Sequence, residues 1–268
     1  MTSSVSATSD NASVNSKVPR LQLRNISKSF GGVHALKHVD FEVYDGEVVA
    51  LVGDNGAGKS TLIKTMSGAY VPDEGETLID GQPVTIGSPQ DSTRLGIETV
   101  YQDLALCDNL DVVANLWLGR EAYRDLVPGL LRVLDETEME RQTLDVLKIL
   151  DVKIPSVRSA VASLSGGQRQ CIAVAKTILR QPKVVLLDEP TAALGVAQTR
   201  QVLNLILRLK ERGLAVVVIS HNLHDVFEVA DRIIVMRLGQ RANTFDVRSA
   251  TREQVVGAIT GATSETAV

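Results

Sequence analysis

Residues 53–61 constrain the fold of this chain more than any other stretch. They match the pattern G-x-x-x-x-G-K-[ST] of a phosphate-binding loop. A short apolar run, residues 47–52, precedes the loop, and residues 61–66 have the pattern of a helix start. A phosphate-binding loop needs a strand before it and a helix after it, so the setting supports the motif. The loop consists of Gly53, Asp54, Asn55, Gly56, Ala57, Gly58, Lys59, Ser60 and Thr61.

The residue types in this loop suit the binding of a nucleotide. Glycines let the backbone curl so that successive N–H groups point inward, and the helix start adds positive potential. Lys59 is predicted to reach the β- and γ-phosphates, and the Ser60 hydroxyl to ligate Mg²⁺. The sequence therefore predicts a nucleotide site here, with Lys59 as a catalytic residue.

Composition limits the remaining possibilities. The chain has 268 residues, of which 44% are hydrophobic and 22% charged, as in soluble globular proteins. No run approaches the roughly 18 apolar residues of a membrane span, and the N-terminus does not resemble a secretory signal. Two distant cysteines are typical of a reducing compartment, and a net charge of −4 disfavours a nucleic-acid partner. These features predict a cytoplasmic protein.

The pattern along the chain predicts an α/β fold in one domain. Residues 1–19 are interpreted as a disordered N-terminal segment, 20–261 as a single domain, and 262–268 as a loose tail. Alternating early segments predict an antiparallel β layer, and continuous apolar runs in the last third predict a mostly parallel sheet. Residues 104–163 have helical periodicity interrupted at Pro128 and Gly129, which predicts a helical subdomain.

Three polar residues follow the two apolar strands of the last third. Asp188 ends the first strand, and we expect that strand to lie beside the phosphate loop, where Asp188 would hold a Mg²⁺-bound water. Glu189 comes next and is placed to orient or deprotonate an attacking water. His221 ends the second strand and is predicted to bond the γ-phosphate or that water.

A second anion-binding segment is predicted at residues 164–168. A helix begins at this segment, and its first N–H groups would bind an anion as those of the phosphate loop do. One nucleotide does not need two such sites. The segment includes Ser165, Gly166, Gly167 and Gln168. Phe30 follows the first strand and is open to two interpretations, a core aromatic or a ring that stacks on adenine. His34 and His38 are four residues apart, but no helix is predicted there and we expect no metal site.

The order of these motifs resembles the ATP-binding cassette (ABC) family of transporter ATPases. The similarity covers about residues 21–261 and includes the loop, residues 100–102, 164–168 and 184–189, and His221. It implies ATP and Mg²⁺ as cofactors and the ABC ATPase fold, with residues 20–261 as the nucleotide-binding domain. It also implies that Gln102 contacts Mg²⁺ and relays the state of the bound nucleotide to a membrane subunit, and that Phe30 stacks on adenine. Residues 165–168 would bind the γ-phosphate of ATP held by a second copy.

Within the family, residues 53–62, 67–70, 100–106 and 118–121 are similar to importers of monosaccharides such as ribose, xylose and fructose. That resemblance implies a homodimer under two transmembrane permease subunits, at the cytoplasmic face of the bacterial inner membrane. An extracytoplasmic sugar-binding protein would supply the solute. Alternatives are another solute class, or a soluble protein acting on ribosomes or DNA. Many such subunits carry two cassettes in tandem, whereas this chain has one complete set of motifs. The chain also carries Gly195 where many cassettes have Asp.

Overall fold

The structure, a computed structural model, describes residues 18–127 and 130–262. Most of the segment predicted to be disordered, the break at Pro128 and Gly129, and most of the predicted tail lie outside these residues. The strands are β1 Leu21–Phe30, β2 Val33–Val43, β3 Val48–Val52, β4 Glu74–Ile79, β5 Gln82–Val84, β6 Ile97–Val100, β7 Tyr123–Val127, β8 Leu131–Leu134, β9 Val184–Asp188, β10 Ala215–Ile219, β11 Arg232–Arg237 and β12 Gln240–Asp246. The helices are α1 Lys59–Met66, α2 Pro89–Arg94, α3 Val112–Trp117, α4 Glu136–Ile149, α5 Gly166–Ile178, α6 Val196–Glu211, α7 Leu223–Val229 and α8 Arg252–Thr260.

The central sheet has six strands in the order β12-β11-β3-β10-β9-β6. All its neighbouring strands run parallel except β12, which pairs antiparallel with β11 at the edge. Every residue of β3 and β10 is buried, which is why these strands are continuous apolar runs and do not alternate. The predicted mostly parallel sheet is confirmed.

A second, antiparallel sheet packs over the first in the order β2-β1-β4-β5. Leu21, Leu23 and Phe41 from this sheet share a buried cluster with Leu51 of β3 and Leu62 of α1. The helix that follows the phosphate loop is therefore fixed between the two sheets. The antiparallel layer predicted from the early alternating segments is confirmed.

Residues 104–163, predicted as a helical subdomain, form an inserted segment whose described part contains helices α3 and α4 and a hairpin. Helices α3 and α4 match the two periodic stretches, and the Trp117 indole joins them by donating to the Met139 carbonyl and the Thr143 hydroxyl, at 3.0 and 3.2 Å. Strands β7 and β8 pair antiparallel between them, and the sequence did not predict this hairpin. All five side chains of β7 are exposed, so the strand has no buried face to impose an alternating pattern. No described helix is both long enough and apolar enough to cross a membrane.

Candidate nucleotide-binding site

The phosphate loop leaves the end of β3 and turns sharply into α1. Gly58 is the residue before helix α1 and has a φ of +104°, a backbone conformation that residues with a Cβ atom rarely adopt. A Cβ atom at this position would also lie 2.8 Å from the Ala35 carbonyl oxygen of β2. Glycine at 58 thus lets the loop pass directly against the antiparallel sheet.

Lys59 belongs to the phosphate loop and is bonded back onto it. The residue is only 8% exposed, and its ammonium group donates to the carbonyl oxygens of Gly53 and Asp54, at 2.7 and 2.9 Å. Burial lowers the pKa of Lys59, while the negative charges of Glu189, Asp54 and Asp188 oppose that shift. The side chain is therefore folded over the curve of the loop, where an anion would meet its charge.

A cleft of about 490 Å³ opens over the loop. One wall consists of residues 55–61, and the other comes from β2 and from the turn between β11 and β12. The Gly239 N–H of that turn donates to the Ala57 carbonyl, and the Lys37 N–H donates to the Gly239 carbonyl. The sequence did not reveal this second wall, because backbone bonds between distant segments leave no motif. The residues of the second wall are Val33, His34, Ala35, Lys37, Leu238 and Gly239.

Asp188 ends β9, but β9 does not lie directly beside the strand of the phosphate loop. Strand β10 separates β3 from β9, so β9 is the second strand along the sheet from the one that leads into the phosphate loop. The role of Asp188 at a Mg²⁺-bound water stays a prediction. The order of strands is set by packing between distant segments, which the motif itself does not encode. Burial raises the pKa of Asp188 and the charge of Glu189 raises it further, whereas Lys64 and Lys59 oppose the shift.

The structure brings Glu189 and His221 together. The imidazole Nδ1 of His221 lies 2.8 Å from Oε2 of Glu189. The backbone of Glu189 has a φ of +51°, unusual for a residue with a side chain, and its N–H donates to the Ile219 carbonyl at 3.0 Å. The His221 side chain is 72% exposed and that of Glu189 19%, so the pair stands at the open edge of the sheet.

Ser60 and Gln102 are both exposed, at the start of α1 and just after β6 respectively. With Asp188 they offer a hydroxyl, an amide and a carboxylate oxygen, donor types that Mg²⁺ accepts. Within the described ranges no group of three His, Cys, Asp or Glu side chains could hold a metal ion. His34 and His38 instead bond neighbouring polar side chains, Ser29 and Asn25.

The second predicted anion site lies at an exposed helix start. The Ser165 hydroxyl accepts from the Gln168 N–H, and the Gln168 side chain accepts from the Ser165 N–H, which forms a reciprocal cap of α5. None of residues 165–168 is among the described residues that line the cleft over the phosphate loop. In one copy of the chain, the phosphate loop and residues 165–168, the two predicted anion-binding segments, therefore do not share a cleft.

Gly167 lies where α5 approaches α6 most closely. A Cβ atom there would lie 2.8 Å from the Cβ of Gln198, with the Gln198 Cα at 3.1 Å. We expect Gly167→Ala to lower the free energy of unfolding by about 1–3 kcal/mol, because the two helices must separate. Urea denaturation measures the effect. Gly32→Ala is the control, since a Cβ there meets nothing within 4 Å; an equal loss in both variants would contradict the packing argument.

Phe30 does not line the cleft. Its ring is 43% exposed and packs edge-on against Tyr70 with centroids 5.0 Å apart. Lys28 places its ammonium 5.7 Å from the Phe30 centroid. Stacking on adenine stays a prediction for this residue.

The sequence has clear relatives among proteins of known function. The ABC transporter family model matches residues 36–192. A fructose import ATP-binding protein of Rhizobium meliloti is 47% identical over 249 residues, covering 91% of this chain and 95% of the relative. A xylose/arabinose import ATP-binding protein of Sulfolobus acidocaldarius is 46% identical, covering 82% and 85%. A ribose import ATP-binding protein of Rubrobacter xylanophilus is 43% identical, but this chain spans only 48% of its length.

Solved structures show the same architecture. A nucleotide-free ATP-binding cassette from an ABC transporter has a TM-score of 0.76 at 26% identity, covering 90% of this chain and 95% of that one. A dimeric ATP-binding cassette bound to ADP and Pi after hydrolysis has a TM-score of 0.69 at 27% identity, covering 86% and 100%. The predicted fold class is confirmed.

Proposed function

This chain belongs to the ABC transporter family, and we propose that it is the ATP-hydrolysing subunit of a monosaccharide importer. The observation that carries the proposal is the site at the edge of the central sheet. There the buried Lys59 belongs to a phosphate loop, and the charge of Glu189 acts on that lysine. Glu189 is hydrogen-bonded to His221. A phosphate loop and a base for water are the two parts that ATP hydrolysis needs.

Each member of the site has a distinct task in the proposed reaction. Lys59 holds the β- and γ-phosphates from the floor of the cleft and offsets charge that develops on them. Glu189 orients the attacking water and accepts its proton, and its ordered backbone fixes the carboxylate for this task. His221 bonds Glu189 in the structure and donates to the γ-phosphate when ATP is bound.

We propose that Ser60, Gln102 and Asp188 hold Mg²⁺ together with the phosphates. Their donor types suit the ion, and a cation next to Asp188 would favour the ionised form that burial disfavours. The ion would supply charge neutralisation on the phosphates. Gln102 lies two residues after the end of β6 and just before the inserted segment, so it would connect the state of the bound nucleotide with that segment.

ATP is proposed to join two copies of the chain. Residues 165–168 form a helix start outside the cleft with Ser165 exposed, a geometry that would suit an anion, and a dimeric cassette is among the similar solved structures. Each copy would place these residues against the γ-phosphate held by the other. Gly195 replaces the Asp of many cassettes, so the dimer contact at that position must come from other groups.

The proposed partners follow from the relatives. They are named for the import of fructose, xylose/arabinose and ribose, which makes a monosaccharide the proposed solute. Two permease subunits would cross the membrane, and an extracytoplasmic sugar-binding protein would deliver the solute to them. The chain would then lie peripherally at the cytoplasmic face of the bacterial inner membrane.

Reconstitution tests this assignment. The chain is co-expressed with a candidate sugar permease of the same organism, and vesicles are assayed for ATP-dependent uptake of labelled fructose, xylose and ribose in the presence of a sugar-binding protein of that organism. Uptake of one sugar with the wild-type chain, and none with Glu189→Gln, is the expected result. Association with ribosomes or DNA, and none with a permease, would contradict the proposal.

A further inference from the structure

Asp225 is a buried carboxylate outside the groups given a task above. It lies in the first turn of α7 and is 5% exposed. Its Oδ2 accepts a hydrogen bond from the Thr191 hydroxyl at 2.8 Å. A buried charge is costly unless it is bonded, so this contact holds both residues in place.

The bond joins the two segments that carry the Glu189–His221 pair. Thr191 lies two residues after Glu189, and Asp225 lies four residues after His221. Within the loop between Glu189 and α6, the Ala192 N–H donates to the Glu189 carbonyl at 3.1 Å. Glu189 has a left-handed backbone, and such a conformation persists only when its surroundings hold it.

The same loop also contacts the start of α5. The Leu194 N–H donates to the Thr191 carbonyl, which continues the turn that begins at Glu189. The Leu194 side chain reaches Gly166, where a Cβ atom would lie 3.0 Å from its Cδ2. Gly166 is the neighbour of Ser165, so Leu194 connects the loop after Glu189 with the second predicted anion-binding segment.

We propose that Asp225 is a positioning residue for ATP hydrolysis. It holds Thr191, so that Glu189 stays against His221 and the loop after Glu189 stays packed on the start of α5. The inference rests on the proposed ATPase function. Loss of this bond should lower the rate of ATP hydrolysis and not the affinity for ATP, because Asp225 and Thr191 do not line the cleft over the phosphate loop. Reacting groups displaced by about 1 Å lose much of their rate while the nucleotide still binds.

The test measures steady-state ATP hydrolysis by the full chain. Thr191→Val removes the donor, and we expect kcat to fall about ten- to a hundredfold with the KM for ATP within about twofold of wild type. Thr191→Ser keeps the hydroxyl and should retain most of the wild-type kcat. Asp225→Asn should lower kcat less than Thr191→Val, because its amide oxygen still accepts. The double variant should be no slower than Thr191→Val alone, since the two residues act through one bond.

Thr143→Val is the control, since Thr143 is a buried threonine whose hydroxyl bonds the Trp117 side chain, in α4 of the inserted segment. It should lower the melting temperature and leave kcat unchanged. A Thr191→Val kcat within twofold of wild type, an equal loss in Thr143→Val, or independent losses in the double variant would overturn the positioning role. A wild-type chain without ATP turnover would instead contradict the proposed function, and this inference with it.

Discussion

Glu189→Gln is expected to bind ATP, to lose hydrolysis and to accumulate as an ATP-bound dimer. The glutamine amide has nearly the shape of the carboxylate but cannot accept the proton of the attacking water. Loss of a positioned base costs about 10²–10⁴-fold in rate. Since ATP is proposed to join the two copies, a chain that cannot hydrolyse it should not separate. Turnover assays and size-exclusion chromatography with light scattering, with and without ATP, measure both effects.

Glu76→Gln provides the control for this experiment. Glu76 is an exposed carboxylate of β4 that pairs with Arg24, so the same chemical change is made away from the site. It should hydrolyse ATP at the wild-type rate and form no trapped dimer. Only monomer in the Glu189→Gln sample with ATP would contradict the shared site.

Lys59→Ala is expected to lose both ATP affinity and turnover. The substitution removes the ammonium group of a buried lysine that is proposed to bind the phosphates, and a hydrogen bond to a charged group contributes about 1.5–3 kcal/mol. It also removes the two bonds that tie the side chain to Gly53 and Asp54, so the loop loses an internal support. Calorimetric titration with ATP and a turnover assay check the prediction.

The two variants should differ in assembly, which separates their roles. Lys59→Ala should stay monomeric in ATP because it fails to hold the nucleotide, whereas Glu189→Gln should dimerise. Lys183→Ala, an exposed lysine paired with Asp80 before the start of β9, is the control and should behave as wild type. Full ATPase turnover by Lys59→Ala would refute the role given to Lys59.

The sequence predicts those parts of the site that depend on local backbone geometry. The phosphate loop, with its glycines and Lys59, is one continuous segment, so its conformation follows from its own residues. The parallel strands are predicted because burial on both faces leaves an unbroken apolar run, as in β10. Glu189 and His221 each come just after such a strand, and the edge where parallel strands end brings the Glu189 Oε2 and His221 Nδ1 atoms within 2.8 Å.

The remaining features depend on contacts between distant segments. The position of β10 between β3 and β9 is set by tertiary packing, so the neighbour of the loop strand is not evident from the motif. Gly239 joins the cleft through backbone bonds to Ala57 and Lys37. The bond from Thr191 to Asp225 spans 34 residues, and neither residue stands out in a sequence where Thr and Asp are common surface residues.

The shared site is tested most directly by mixing two inactive variants. Lys59→Ala disables the phosphate loop of its own copy, and Ser165→Glu places a negative charge where the γ-phosphate held by the other copy is proposed to bind. Neither variant should hydrolyse ATP on its own. In a 1:1 mixture, half of the dimers are mixed and each has one intact site, so turnover should recover to about a quarter of wild type. If the site lay within one copy, the mixture would stay as inactive as its two components, and that result would contradict the account.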